Sequence, residues 1–437
     1  MHGQAGRPAR LPVLGWVLPD LIRNGRLTVI DADGGTARFG DAASGLHVTL
    51  RLRDRDLPIR IALDPATVMG EAYMDGRIKI ESGTIRDLLL LATANLELLY
   101  QKPLPRLMNY LRKLQRLWSG TNNRIASRRN VGHHYDLPPE LYDLFLDTDR
   151  IYSCAYFPTG CETIEVAQLA KIRHLAAKLL IKPDDRVLDI GCGWGALATT
   201  LAVDAGARVD GITLSAEQLG AAKRRARLLG VENRARFELC DYRDVNGRYD
   251  RIVSVGMLEH VGTRHFDAYF RKIASLLEVD GIAVVHSIGH ANVTTGSDPW
   301  INRYIFPGGH IPTLSQVLPA IERAGLWLTD IEILHGHYNL TLQRWWDRFQ
   351  KNREAARDLM GERFCRMWEY YLAASEAGFQ NRGLMVFQLQ LTRERRAVPH
   401  TRDYISRFEA RWQAPDPTPP PPGRDRHAAR KPHDWVH

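Results

Sequence analysis

Between Arg186 and Ser287 apolar residues come in short runs, each followed by a stretch of helical spacing. "RVLDI" leads into a helix from Ala196, and "RVDGI" into "SAEQLGAAKRRARLLG". "ARFEL", "RIVSV", the helix "RHFDAYFRKIASLL" and "GIAVVHS" continue the alternation. Strands that take turns with helices predict an α/β domain around a parallel sheet. The first 100 residues read differently. "LHVTLRLRD" alternates apolar and polar positions as a half-buried strand does, "GRIKIESG" repeats the pattern between turn glycines, and "TIRDLLLLATANLELLY" has helical spacing. That is a small α+β domain with no catalytic cluster, by itself a scaffold or binding module.

The division expected is 1–115 for the N-terminal domain, 116–130 for a basic linker, 131–395 for the α/β domain and 414–437 for a disordered tail holding seven prolines. Charge sharpens the middle of this picture. Lys102, Arg106, Arg112, Lys113, Arg116, Arg124, Arg128 and Arg129 occur without an acid, while Leu104, Leu107, Leu111, Leu114 and Leu117 keep helical spacing between them. Such a helix either lies on lipid phosphates or packs on a core with a solvated face. The formal charge of +9 points to an anionic partner. No nucleic-acid module accompanies the charge, so nucleic acid is not expected. The five cysteines form no C-x-x-C pair, which argues for a reducing compartment and against structural zinc. "LPVLGWVL" is flanked by prolines and lacks a cleavage site, so no signal peptide is expected, and no run is long enough to span a bilayer.

The candidate chemistry begins at "VLDIGCGWG". Gly191, Gly193 and Gly195 fall at a strand-to-helix turn, where missing Cβ atoms let a ligand approach the backbone. The pattern is G-x-G-x-G, one residue shorter than a dinucleotide fingerprint. The second strand, "VDGITLS", carries no acid at its tip for a ribose. Ser215 and Gln218 instead make an S-x-x-Q capping box, and Thr213 and Gln218 are positioned to face ribose hydroxyls. With Asp189 ending the first strand and Asp241–Tyr242 following the third, the pattern resembles a Rossmann-like class I S-adenosylmethionine methyltransferase.

Further stretches narrow the resemblance: "NVGHHYDLPPELYDLFLDTDRIYSCAYF", "DYRDVNGRYDRIVSVGMLEHVG", "HSIG", "YIFPGGHIPTLSQV" and "HYNLTLQRWW". Together they resemble the cyclopropane-fatty-acyl-phospholipid synthase family over roughly residues 125–395. The N-terminal region looks like the extra lipid-binding domain of the bacterial phospholipid enzymes. The resemblance implies a methylene transfer from S-adenosylmethionine to the cis double bond of unsaturated phospholipid acyl chains. It implies a bound bicarbonate ion as the base, held by the Cys154 and Ile288 amides and the side chains of Glu259, His286 and Tyr338. It places Tyr152 and Ser153 on the methionine end of the donor. The glycine turn and Asp189 follow, with Thr213, Leu214, Ser215 and Gln218 on the ribose. Asp241 and Tyr242 fall to the adenine, with Arg243 beside them. Trp300, Tyr304 and Phe306 would line an acyl tunnel. A homodimer, attached peripherally to the inner face of the membrane in the cytoplasm, goes with that family.

The chemistry can be argued beside the resemblance. An isolated alkene is a feeble nucleophile and needs an electrophile as strong as a sulfonium methyl. The resulting carbocation needs a dry site, aromatic faces and one placed base. A metal held by Glu259, His260 and His286 is an alternative reading of the same side chains, and the resemblance sets against it. One departure stands out. Where many relatives carry a cysteine, in the stretch "YYLAASEAGF", this chain has Ser375, which joins the catalytic candidates; Cys365 lies ten residues earlier and does not replace it. Either the thiol is dispensable, or the same cation ends as a methylene- or methyl-branched chain. A small-amine methyltransferase and a membrane-bound or nucleic-acid-binding scaffold are further alternatives.

Overall fold

The computed structural model describes residues 7–41, 45–100, 137–291 and 298–413. The basic helix and linker expected within 102–130 and the tail from Ala414 lie outside the described residues. The chain forms two compact units. One comprises Met1–Gly120, Thr294–Pro307 and Trp345–Leu384, the other Thr121–Val293, Gly308–Arg344 and Met385–His437.

The first unit holds a four-stranded sheet of β1 (Arg26–Ile30), β2 (Thr36–Gly40), β3 (His47–Leu52) and β4 (Ile78–Ser82), in the order β2-β1-β3-β4. The alternation read in "LHVTLRLRD" is the burial of β3, with Val48, Leu50 and Leu52 inward. The Ile85–Tyr100 helix is tied to this unit by Asn95, whose amide oxygen accepts from the Arg23 and Asn24 N–H groups at 3.0 Å each. Later segments belong here because of polar pairs that no local pattern announces. Arg86 donates to both oxygens of Glu376 (2.5 and 2.7 Å) on the Glu362–Asn381 helix, and Tyr73 donates to Glu369 at 2.9 Å.

In the second unit β5 (Arg186–Ile190), β6 (Arg208–Thr213), β7 (Ala235–Leu239), β8 (Tyr249–Val255) and β9 (Leu277–His290) run parallel. With β10 (Trp327–Ile333) and β11 (Leu384–Thr392) they form one sheet in the order β10-β11-β9-β8-β5-β6-β7. The sheet is mixed rather than wholly parallel, since β10 and β11 pair antiparallel. Both faces of the inner strands are covered. Leu188, Ile252 and Ala283 pack into one core, while Val187, Val253 and Val284 pack into another. That two-sided burial makes these strands read as continuous apolar runs. From β5 the chain moves outward to β6 and β7, then returns to β8 and β9 on its other side. Strand order therefore reverses at β5, and a crevice at the carboxyl ends of its strands is where open α/β sheets bind ligands.

Candidate active site

A cavity of about 160 Å³ opens at that reversal. Its floor is the turn after β5. Gly191 and Gly193 line it, both left-handed (φ 81° and 54°), and a Cβ on Gly193 would meet nothing within 4 Å. Any side chain would fill ligand space there and strain the backbone. Gly195 also has a left-handed φ, of 82°, but serves another purpose. A Cβ there would stand 2.8 Å from that of Ala222, so this glycine lets two helices approach and is absent from the cavity wall.

Asp189, next to last in β5, has 2 % of its surface exposed, and burial pushes its carboxyl up to about 7. Its Oδ2 is buried without a hydrogen-bond partner. Tyr152, Ser153, Thr213, Leu214, Gln218 and Tyr242 line the same cavity. The Thr213 hydroxyl donates to Gln218 Oε1 at 3.0 Å and accepts the Ser215 N–H at 3.2 Å. Only half of the expected capping box therefore forms. Ser215 Oγ caps the Gln218 N–H at 3.3 Å, while the Gln218 side chain turns to Thr213 and the cavity; Ser215 is a helix cap outside the wall. Tyr242 packs edge-on to Tyr269 at 5.3 Å between centroids, with the Arg243 guanidinium 5.6 Å from its ring centre. Asp241 does not line the cavity. Its oxygens accept from the Arg243 N–H, Nε and Nη2 at 3.0, 2.8 and 2.6 Å, so the neighbouring arginine occupies the carboxylate expected to reach the adenine.

The second cluster lies next to this cavity in the chain, because Met257 and His260, on either side of Glu259, both line it. Glu259 sits on a single 3-10 turn after β8. Its Oε1 accepts the Ile288 N–H at 2.6 Å, and its Oε2 is buried without a partner. Burial pushes this carboxyl up to about 7, against the pull of the Ile288 amide and, more weakly, of the nearby Ser287 hydroxyl. That amide is thus committed to Glu259 and acts through it. His286, two residues earlier on β9, is 2 % exposed. Burial first, and the Lys171 and Lys178 charges next, hold its imidazole well below the ordinary range and therefore neutral. Gln388 Nε2 lies 3.1 Å from Nδ1, and an amide N–H donated there puts the ring proton of the neutral imidazole on Nε2. Through Ile288, the cluster thus brings a carboxyl oxygen that accepts no hydrogen bond and a neutral imidazole to within two residues of each other on β9.

Cys154 and Tyr338 belong to another set of contacts. The Ala155 N–H donates to Thr341 Oγ1 at 3.0 Å, and the Phe157 N–H to His337 Nδ1 at 2.9 Å. The Cys154 segment is therefore fastened to the first turn of the His337–Lys351 helix, which carries half-buried Tyr338 one turn from Thr341. Burial pushes the Cys154 thiol up to about 12, so a backbone role suits it better than thiolate chemistry. Ser375 lies half-buried in the first unit on the Glu362–Asn381 helix, as does buried Cys365. Trp300, Tyr304 and Phe306 also belong to that unit, where Trp300 is fully buried at 4.6 Å from the Tyr370 ring.

Sequence reasoning missed Lys171, Trp194, Met257 and the cavity-facing role of His260. Lys171 had a signal. It occupies a core position, at i+7 from Ile164, of the otherwise inward face of the Ile164–Leu179 helix. Burial pulls its ammonium down to about 8, against the attraction of Asp147.

Comparison with known proteins agrees with this geometry. A family model described as mycolic acid cyclopropane synthetase matches residues 122–389, and one for a domain of unknown function matches 22–103. The chain is 35 % identical over 367 residues to the cyclopropane-fatty-acyl-phospholipid synthase of Escherichia coli, covering 82 % of this chain and 91 % of that protein. It is 37 % identical to a tuberculostearic acid methyltransferase of Mycobacterium tuberculosis, over 74 % of this chain and 78 % of the relative. Among solved structures, a mycolic acid cyclopropane synthase complexed with SAH (S-adenosylhomocysteine) and CTAB aligns with a TM-score of 0.57 and 31 % identity. That alignment covers 60 % of this chain and 97 % of the other. The unpartnered Asp189 oxygen, the left-handed glycines and the buried Tyr242 at the cavity wall fit the amino-acid end, chain and ring of such a nucleoside ligand. With its reversed-order sheet and this cavity, the chain belongs to the mycolic acid cyclopropane synthetase family and is an S-adenosylmethionine-dependent methyltransferase.

Proposed function

We propose that the enzyme forms cyclopropane rings on cis-unsaturated acyl chains of membrane phospholipids, with a bicarbonate ion held by Glu259 and His286 as the base. The observation that carries this reading is the buried Glu259 Oε2, which accepts no hydrogen bond while its carboxyl is held by the N–H of Ile288, two residues beyond neutral His286. An anion that also bears one hydroxyl suits that pair, since it accepts from the imidazole and donates to the carboxylate. The remaining contacts in the proposal are the Cys154 amide and the Tyr338 hydroxyl. S-adenosylmethionine, when bound, supplies an electrophilic methyl group; bicarbonate, when bound, supplies a base too small to displace the lipid. The protein's own part is to hold the donor against Asp189, Gly193 and Tyr242. It also keeps water from the cation and fixes the anion's orientation through Glu259, itself fixed by the Ile288 N–H.

Phospholipid as the substrate is supported by the likeness to the Escherichia coli enzyme along nearly its whole length and by the charge of +9. Among the described residues no helix is long and apolar enough to cross a membrane, which fits a peripheral attachment to the inner face. A homodimer belongs to the same proposal, and its mass in solution checks it.

A second reading keeps the cation and changes its fate to a branched chain. It is favoured by Ser375 and by the similar protein named a methyltransferase. Expression in a cell rich in monounsaturated lipid, followed by fatty-acid analysis, separates the two. A product one methylene heavier that resists mild hydrogenation supports the ring. A product that takes up hydrogen, or none, refutes it.

A further inference from the structure

The donor cavity contains a buried cation and a buried anion that do not pair with each other. Lys171 is 3 % exposed and Asp189 2 %, and both line the cavity. Among the described residues neither forms an ion pair, and Asp189 Oδ2 has no hydrogen-bond partner. Lys171 Nζ donates to Ser153 Oγ at 2.7 Å, and Ser153 lines the cavity as well.

The same helix shows what a structural buried lysine looks like. Lys178, two turns further on, is 0 % exposed and has two carboxylates, Glu332 at 2.5 Å and Asp330 at 3.4 Å. Burying an ammonium costs several kcal/mol unless an opposite charge offsets it. Lys178 holds two carboxylates at ion-pair distance, whereas Lys171 has only the longer-range attraction of buried Asp147 and Asp189 and faces the cavity. A cation and an anion set apart on one wall are the complement of a zwitterion, and an α-amino acid is one.

We infer that Lys171 binds the α-carboxylate at the amino-acid end of the methyl donor, with Ser153 relaying the contact, while Asp189 Oδ2 takes the ammonium. The inference rests on reading the cavity as the S-adenosylmethionine site and adds a charge-reading residue to it. Ser153 accepts from Lys171, so its own hydroxyl proton is available to the carboxylate.

The test compares three ligands by equilibrium binding: S-adenosylhomocysteine, its decarboxylated amine and 5′-methylthioadenosine. Lys171→Met is expected to bind S-adenosylhomocysteine roughly ten- to hundred-fold more weakly, with the two carboxylate-free ligands changed by less than about twofold. Their retained binding also shows that the variant is folded. Equal losses for all three ligands, or no loss for S-adenosylhomocysteine, overturn the inference. Should Lys171→Met not fold, the wild-type protein and Ser153→Ala decide. Wild-type affinities equal for S-adenosylhomocysteine and its decarboxylated amine overturn the inference. A preference for the carboxylate that shrinks in Ser153→Ala upholds it. Failure of the wild type to bind any of the three refutes the cavity assignment itself.

Discussion

Replacing Glu259 by Gln isolates the proposed anion grip. The Ile288 N–H, 2.6 Å from Oε1, fixes which way the new amide points. The glutamine oxygen has to accept that N–H, because the reverse orientation sets two donors against each other. An NH₂ group then occupies the Oε2 position, where an acceptor was buried and free. The anion's hydroxyl loses its acceptor while shape and packing stay nearly the same. A hydrogen bond to a charged group is worth about 1.5–3 kcal/mol, a loss of roughly ten- to 150-fold in kcat. The assay is transfer of labelled methyl to vesicles of a monounsaturated phospholipid, beside calorimetric binding of S-adenosylhomocysteine, which should stay within about twofold because Glu259 is not in that cavity's wall. The pH profile gives a second readout. The wild-type carboxyl titrates at about 7, so kcat falls as pH drops through that value and Oε2 takes up a proton. With bicarbonate held saturating at every pH, Glu259→Gln lacks this limb. Turnover within twofold of wild type, or an unchanged profile, refutes the role given to Glu259.

Other outcomes follow from the same contacts. Asp189→Asn should weaken donor binding yet raise the melting temperature of the ligand-free enzyme above neutral pH. The native carboxyl titrates at about 7 against an ordinary 3.8, so stability falls as pH rises between those values, by an upper bound of roughly 4 kcal/mol. Thermal scans at pH 5 and 8 read the difference. Gly195→Ala, at a left-handed position with Ala222 Cβ 2.8 Å from the added methyl, should cost about 1–3 kcal/mol in denaturant titration. Arg86→Met takes the two Arg86 hydrogen bonds from Glu376, whose side chain is 1 % exposed, and should destabilise the protein by up to about 3–5 kcal/mol, with partial recovery in the Arg86→Met, Glu376→Met pair.

The strands from Val187 to His286 were legible because two covered faces demand apolar runs, and the glycine turn was legible because only glycine adopts its backbone without strain. Other features were not. Asp241 carries the expected residue type, but its carboxylate is taken by Arg243, a choice of partner that spacing does not express. β10 turns Glu332 toward His174 and Lys178 on a helix some 150 residues earlier, and Arg86 finds Glu376 290 residues later. Pairs so distant leave no periodicity in the chain. Lys171 was visible as a polar residue at a core position, and only the cavity beside it shows why a lysine stands there.

Turnover in buffer stripped of carbon dioxide is the most direct check on the base. The wild-type rate should collapse and return saturably as bicarbonate is added back, while Glu259→Gln stays slow at every concentration. Full wild-type activity without bicarbonate would contradict the account.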